Sequence, residues 1–587
     1  MKRIVSLLMT LVMLFGAMTT LASCGAPKDD GAEINIYLGA EVFDFDPSDY
    51  YVSANAEQVL SLIYEPLFKL NGNGKLKKAA AKKYEVDKDE RKIIITLAES
   101  YWSDNIKVKA ADYVYAWCER IINPANPNPA ATLFLDIEGV KDAINGEGSL
   151  SDVAIKATEM DQITITYCEG ADYKRILKNL ASVAASPVRQ DIVETAETYW
   201  AKSAATIVTN GPFKIKSYDR EKCTFELARN VGYHQAPTTK DCDNKVNPGL
   251  LYGSFTVGTS EITLSYEDIK NKVTFVMKDA SLADRAEYKK KADTAEHTSV
   301  YTYVFNTSHP LFADVNVRRA LSAIIDRDAI IDAITFGKAA DGFIPDVSGG
   351  SEDDLISTSA NEKKAREYLA AADQSVVNAN KSFTLTVDSD EQSRKIAEIV
   401  EAAWESLGFA VEVKVAKTVE NEVADGIIHD SEIQYLIKNA SYGKVEYDVI
   451  AVDWQTYCLD AAPALSSLTS SLNGMGKELY GGDVESGTPH YSVARKNIAL
   501  WADKDYDALV EAALACDNKK ERAAKLADAE EYLVGEMPVC PLVFNESFVF
   551  VGSKISKLDF NGLGNLDFTD VKLSGYKKYF KPEEKDD

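Results

Sequence analysis

The chain has 587 residues, 46% of them hydrophobic and 27% charged, which is apolar material for several packed domains and excludes a disordered or collagen-like chain. Sixty-five Lys and Arg against 91 Asp and Glu leave a formal charge of −26, so polyanions are repelled and nucleic acid is not expected as a partner.

In chain order, Lys2 and Arg3 form a basic n-region and Ile4 to Met18 an apolar h-region, followed by a small-residue cleavage site; residues 1–23 read as an export signal. The apolar run is too short to span the roughly 30 Å of a bilayer's hydrocarbon, and no later stretch approaches the ~18 apolar residues of a membrane helix. Leu21-Ala22-Ser23-Cys24-Gly25 resembles a bacterial lipobox, which implies lipidation of Cys24 and anchoring to the outer face of the cell membrane. Removing residues 1–23 takes away Lys2 and Arg3 and leaves a charge of −28 over 564 residues. Residues 24–33 are small and polar, as a tether should be.

Seven cysteines remain, an odd number with no CxxC pair, which argues against a disulfide framework. The five histidines are scattered and form no HExxH, so neither a metal nor another cofactor is expected.

Ordered structure is expected from Ile34. Strand-like runs follow at Lys92 to Leu97, Gln162 to Tyr167 and Phe213 to Tyr218, the last facing Cys223 to Leu227 across the polar connection Asp219-Arg220-Glu221-Lys222. The rhythm changes after about residue 300. Phe383 to Val387 alternates as a strand, Glu391 to Leu407 carries apolar residues at helical spacing with Gly408 at the C-cap, and Val411, Val413 and Val415 mark the next strand. That is a βαβ unit of a parallel sheet. Tyr447 to Val452 reads as a further buried strand, and helices follow near Asp505 to Ala515 and Lys519 to Val534, the second closed by Gly535 and Pro538. Ligands of open α/β sheets settle outside the carboxyl ends of the strands, where this chain places the aromatic, polar loop Asp453 to Tyr457.

Several segments together resemble the family 5 extracellular solute-binding proteins, the oligopeptide- and dipeptide-binding lipoproteins of bacterial ABC importers. They are Tyr64-Glu65-Pro66-Leu67-Phe68, Tyr101-Trp102-Ser103-Asp104 with Ala110 to Val114, Asn210-Gly211-Pro212-Phe213 and Arg229 to Tyr233. Phe305-Asn306-Thr307, Val317 to Leu321, Ile325-Asp326-Arg327, Asp505 to Leu509, Glu530 and Met537 to Leu542 continue the series in the family's order. Several also have plain structural uses: Val317, Leu321, Ile324 and Ile325 share one helix face behind an N-cap at Asp314, Trp102 anchors packing, and Asp326-Arg327 is a local ion pair or a ligand clamp.

The resemblance implies an α/β, bilobed periplasmic-binding-protein-like fold, two lobes joined by two crossing strands, with a subdomain inserted in the first. Residues 34–65, 200–300 and 543–587 would form lobe I, 66–199 the insertion and 301–542 lobe II. A ligand would close the hinge near Ser299 to Phe305 and Leu542 to Glu546, and the loaded protein, a monomer, would meet the permease subunits of an importer.

An exported hydrolase is the rival class, but GxSxG is missing, Ser441-Tyr442-Gly443-Lys444 has a Gly where SxxK needs a helix, and paired acids such as Asp353 and Asp354 are common in so acidic a chain. No catalytic residue is expected; a sensor or adhesin remains an alternative. The resemblance places substrate binding at Asp453, Trp454, Gln455, Tyr457 and Asp460. Oligopeptide binders of the family show a W-x-x-D-Y-like segment here, whose first Asp meets the peptide ammonium; Tyr457 stands at that position. A phenol cannot neutralise an ammonium, so N-acetylation of a peptide is expected to matter by less than about tenfold unless Asp453 or Asp460 substitutes. Peptide leads as substrate, ahead of sugars and metal chelates.

Overall fold

The computed structural model describes residues 34–38, 44–48, 54–125, 128–196, 200–219, 224–230, 232–235, 255–258, 275–277, 282–423, 426–433, 435–436, 447–473, 481–482, 489–490, 497–568 and 571–573. The leader with Cys24 and the tether, residues 220–223 of the expected hairpin, Ser441-Tyr442-Gly443-Lys444 and residues 574–587 lie outside the described residues.

Two 13-residue strands, Asp293–Phe305 and Val539–Val551, run antiparallel through the middle of an 11-stranded sheet. On one side lie, in spatial order, Val449–Gln455, Ser382–Val387 and Ala410–Val415; on the other Phe275–Met277, Ile34–Tyr37, Phe255–Gly258, Thr224–Arg229 and Phe213–Asp219. Ser382–Val387 pairs in parallel with both Ala410–Val415 and Val449–Gln455, so the βαβ unit forms as its spacing requires. Its helix, Glu391–Ser406, buries Ile396, Ala397, Val400 and Trp404, starts at Asp390, and stops where Gly408 takes φ +95°.

The apolar side chains gather into two large cores. The first draws on residues from Ile34 to Leu227 and on the C-terminal stretch around Leu563 and Phe568. The second runs from Val300 to Phe544. A separate antiparallel sheet of Ala81–Asp87, Lys92–Leu97, Gln162–Thr166 and Ile155–Glu159 belongs to the first core. The crossing strands link the cores, and their ladder is irregular at the link: Glu296 pairs Glu546 and Val300 pairs Phe544, so His297, Thr298 and Ser299 face Asn545 alone. Such a mismatch breaks the ladder and increases local twist.

Most motif residues serve the scaffold. Glu65 is buried, receiving His234 Nε2 at 2.6 Å and the Tyr233 hydroxyl. Burial works against its charge, but Lys69, then His234 and Tyr233, hold its carboxyl below the ordinary range. Trp102 is fully buried and donates to Asp112 at 3.0 Å, joining two motif segments. Glu530 accepts from the backbone of Phe343, Ile344 and Ser351. Asp314 caps its helix as expected, through Asn316 N at 2.8 Å.

Three expectations need correction. Asp326 and Arg327 form neither an ion pair nor a clamp: Asp326 caps the next helix, while Arg327 is fully buried and donates to the Pro541 and Ser322 carbonyls. The helix from Lys519 runs to Glu536 and is capped by Met537 in the left-handed region, φ 52°, not by Gly535. The strand expected at Tyr447 to Val452 spans Val449–Gln455, because Asp453, which looks like a strand end, keeps its ladder position opposite Tyr301 and finds a side-chain partner in Asn545.

Candidate functional site

Val449–Gln455 is held on one side by the first crossing strand, Ser299 opposite Gln455 through Phe305 opposite Val449, and on the other by Ser382–Val387. Alternate residues of a strand face opposite ways, so Asp453 and Gln455 share a face with Tyr301 and Ser299 while Trp454 points to the other. The five expected residues are thereby distributed over three environments.

Asp453 is half-buried. Its Oδ1 accepts from Asn545 Nδ2 at 2.8 Å, the same amide group reaches Ser299 Oγ at 2.8 Å, and His297 Nδ1 lies 2.8 Å from that hydroxyl. Burial, opposed by the Asn545 hydrogen bond and assisted by nearby Asp390, pushes the Asp453 carboxyl up to about 6. Gln455 is 2% exposed, and neither its amide oxygen nor its nitrogen has a hydrogen-bond partner. An orphaned buried amide costs about 1–3 kcal/mol.

Trp454 lies in the second core, edge-on to Phe343 with ring centroids 5.4 Å apart. Thr456 ties the strand end to the crossing strand, its backbone and its hydroxyl both reaching the Thr298 carbonyl, at 2.9 and 2.7 Å. Tyr457 takes φ 63°, an uncommon and costly conformation for a bulky residue. That turn carries the chain from one core into the other, for Tyr457 and Cys458 pack in the first core.

Asp460 is fully engaged. It caps the Ala461–Ser466 helix, receives both terminal nitrogens of Arg522 at 3.0 and 2.9 Å, and lies 3.5 Å from Arg175, whose guanidinium grips Asp136 at 2.6 and 2.8 Å. It ties the loop to the Lys519–Glu536 helix of the second core and, through Arg175, to the first core, instead of standing free for a ligand.

Sequence reasoning missed the neighbours of Asp453 across the parallel pair. Leu385 pairs Val449 and Thr386 pairs Ile450, so the carboxyl end of Ser382–Val387 delivers Asp388 and Asp390 beside the end of Val449–Gln455. Asp390 Oδ1 accepts from Ser393 N at 2.9 Å. Asp388 is exposed; partial desolvation, then the like charges of Asp390 and Asp453, push its carboxyl up to about 7. The carboxyl-end rule, applied to both parallel strands, would have found them. A cavity lined by Glu57, Tyr64, Lys69, Tyr233 and Asn565 contains none of these residues and belongs to the first core.

A family model described as bacterial extracellular solute-binding proteins, family 5 middle, matches residues 75–476. The chain belongs to this family. Family 5 proteins bind solutes and are not enzymes. The solute-binding protein is 25% identical to the dipeptide-binding protein DppE of Bacillus subtilis over 524 residues, 87% of this chain and 86% of that one. Its fold matches the Escherichia coli murein tripeptide binding protein MppA with a TM-score of 0.71 at 21% identity, covering 92% of this chain and 98% of the other. Against the unliganded open form of MppA the TM-score is 0.52, at 20% identity and 94% and 98% coverage. The bilobed architecture is therefore that of the family. Among the described residues no helix is long and apolar enough to cross a membrane.

Proposed function

We propose that this protein captures a peptide between its lobes and delivers it to the permease subunits of an ABC importer. The observation that carries this is the segment Asp453 to Asp460, which leaves the carboxyl end of Val449–Gln455, beside that of Ser382–Val387, in the second core and packs Tyr457 and Cys458 into the first. A ligand there touches both lobes at once, as binding-driven closure needs. Relatives named for dipeptide and tripeptide binding favour peptide as the solute.

Residues 34–65, 200–300 and 543–587 form lobe I in this proposal, 66–199 the inserted subdomain and 301–542 lobe II. The hinge is the irregular stretch where His297 to Ser299 face Asn545. Asp453, Trp454, Gln455 and Tyr457 shape the binding surface, with Asp460 fixing the loop. The mature protein is a monomer held by lipid on Cys24 at the outer face of the membrane.

Native mass spectrometry of protein purified from peptide-rich medium, followed by scattering and melting with the recovered ligand, tests the function. A retained peptide, a more compact shape and a higher melting temperature are expected. A retained sugar or metal chelate, or one shape at every ligand concentration, overturns it. Cys24→Ser should release the protein into the medium; membrane association that persists and needs detergent sinks the anchor.

A further inference from the structure

One stretch of this acidic chain holds no acid at all. At the overall frequency of 91 Asp and Glu in 587 residues, residues 66–84 would hold about three; they hold none and carry six lysines. The hairpin of Phe68–Leu70 and Leu76–Lys78 leads into Ala81–Asp87, the edge strand of the separate antiparallel sheet. Lys75, Lys77, Lys78, Lys82 and Lys83 are all exposed along this path.

The strip is left positive by its surroundings. Lys69 and Lys77 stand directly opposite each other in the hairpin, a like-charge pairing that costs stability. Carboxylates meet it only at its two ends, where Lys69 lies 3.3 Å from Glu65 and Lys83 2.8 Å from Glu85. Lys78 donates to the Lys82 carbonyl at 2.8 Å, and the ammonium groups of Lys75, Lys77 and Lys82 find no partner among the described residues. Guarding of an edge strand accounts for Lys82 and Lys83, but Lys75 lies in the hairpin loop and Lys77 in a sheet of its own. A second exposed run, Lys289 to Lys291, has a local use: it closes the Arg285–Lys291 helix, where the backbone dipole favours cations.

An aromatic ring accompanies the lysines. Tyr84 is 39% exposed and is braced edge-on by Phe68, with ring centroids 5.7 Å apart. A held tyrosine among lysines offers an apolar ring, a polar tip and several ammonium groups side by side, the composition that settles at a lipid headgroup layer.

We propose that Lys75, Lys77, Lys78, Lys82 and Lys83, with Tyr84, form a docking face for an anionic membrane surface, the ammonium groups meeting lipid phosphates. This goes beyond the peptide proposal and rests on the Cys24 anchor only for the nearness of the membrane. Ten tether residues, 24–33, reach at most about 35 Å, so the anchored body meets the surface at high effective concentration and a weak contact suffices. The chain's overall negative charge does not forbid this, because fields fade within about 8–10 Å at cellular salt and the membrane meets only the face turned to it. Each lysine near an anionic leaflet contributes about a fivefold gain in partitioning. Docking through this strip holds the body in one orientation on the membrane.

Cosedimentation tests this, using the chain from residue 24 with Cys24→Ser and vesicles of phosphatidylcholine alone or with about one third phosphatidylglycerol. At least about tenfold stronger partitioning onto the anionic vesicles is expected, falling to parity near 1 M salt, where screening acts within about 3 Å. Lys75→Gln, Lys77→Gln and Lys82→Gln together should reduce the preference below about twofold without moving the melting temperature. The same change at Lys289, Lys290 and Lys291 removes equal charge and should leave the preference intact. Equal partitioning onto both vesicles overturns the docking face, as does a preference that outlasts salt or an equal loss in both triple variants. The protein tested carries neither lipid nor ligand, so the result stands apart from the anchor and the peptide. In cells, protein held by this face alone is stripped by salt, whereas lipid-anchored protein needs detergent.

Discussion

Asp453 and Asp460 lie seven positions apart on one strand and loop, yet the protein treats them in opposite ways. Around Asp460 two guanidinium groups and a helix terminus satisfy the charge, and the region joins the cores. Around Asp453 the charge that acts on it is the like charge of Asp390, and burial, opposed by the Asn545 hydrogen bond, pushes its carboxyl up to about 6. A full remedy in one place, beside a burial cost only partly offset in the other, separates the scaffold carboxylate Asp460 from Asp453, which the proposed function assigns to the binding surface.

The comparison breaks most visibly at Asp460. Asp460→Ala strands the mostly buried Arg522, takes from Arg175 the more distant of its two carboxylates, and removes a cap; a loss of about 3–5 kcal/mol in urea unfolding is expected. A loss under about 1 kcal/mol would mean that the weld is ornamental.

Asp453→Asn should act with the opposite sign. The folded carboxyl titrates near 6 against an ordinary value of about 3.9, so the charged form is penalised in the fold above pH 6. Wild type accordingly gains stability from this group as pH falls from about 7 towards 4, where the folded state binds the proton first. The amide variant, which keeps an oxygen for Asn545, should be more stable by about 1–3 kcal/mol at pH 7.5 and lose that advantage near pH 4. A variant less stable than wild type at pH 7.5 would refute the account.

Asp390→Ala removes the cap of the Glu391–Ser406 helix and should cost about 1 kcal/mol, less whatever relief Asp388 and Asp453 gain. The smallest effect belongs to Asp388→Asn, within about 0.5 kcal/mol in stability because the side chain reaches solvent and bears no structural bond.

Local features of the fold were legible. The helix at Glu391 to Leu407, its flanking strands and the Asp314 cap all follow from spacing and from contacts within a few residues. Pairings across distance were not. Arg327 donates to a carbonyl 214 positions away, and Asp460 meets Arg522 across 62. Nothing in the sequence around either residue announces its partner, so both were assigned from neighbours or from resemblance. Asp388 was hidden for another reason: it ends a strand that was recognised, but the site was sought at the end of one parallel strand only.

The crossing strands make a lever. Each spans roughly 43 Å at about 3.3 Å per residue, and the irregular stretch at His297 to Ser299 and Asn545 lies part-way along both. A twist of about 10° there swings a point 20 Å away through roughly 3.5 Å, by the strand dimensions alone. In the proposed hinge, small dihedral changes in four residues would become a displacement on the scale of one side chain at the mouth between the lobes. Because Asn545, the one residue opposite the mismatch, also donates to Asp453, the proposed hinge and the proposed binding surface would share one side chain.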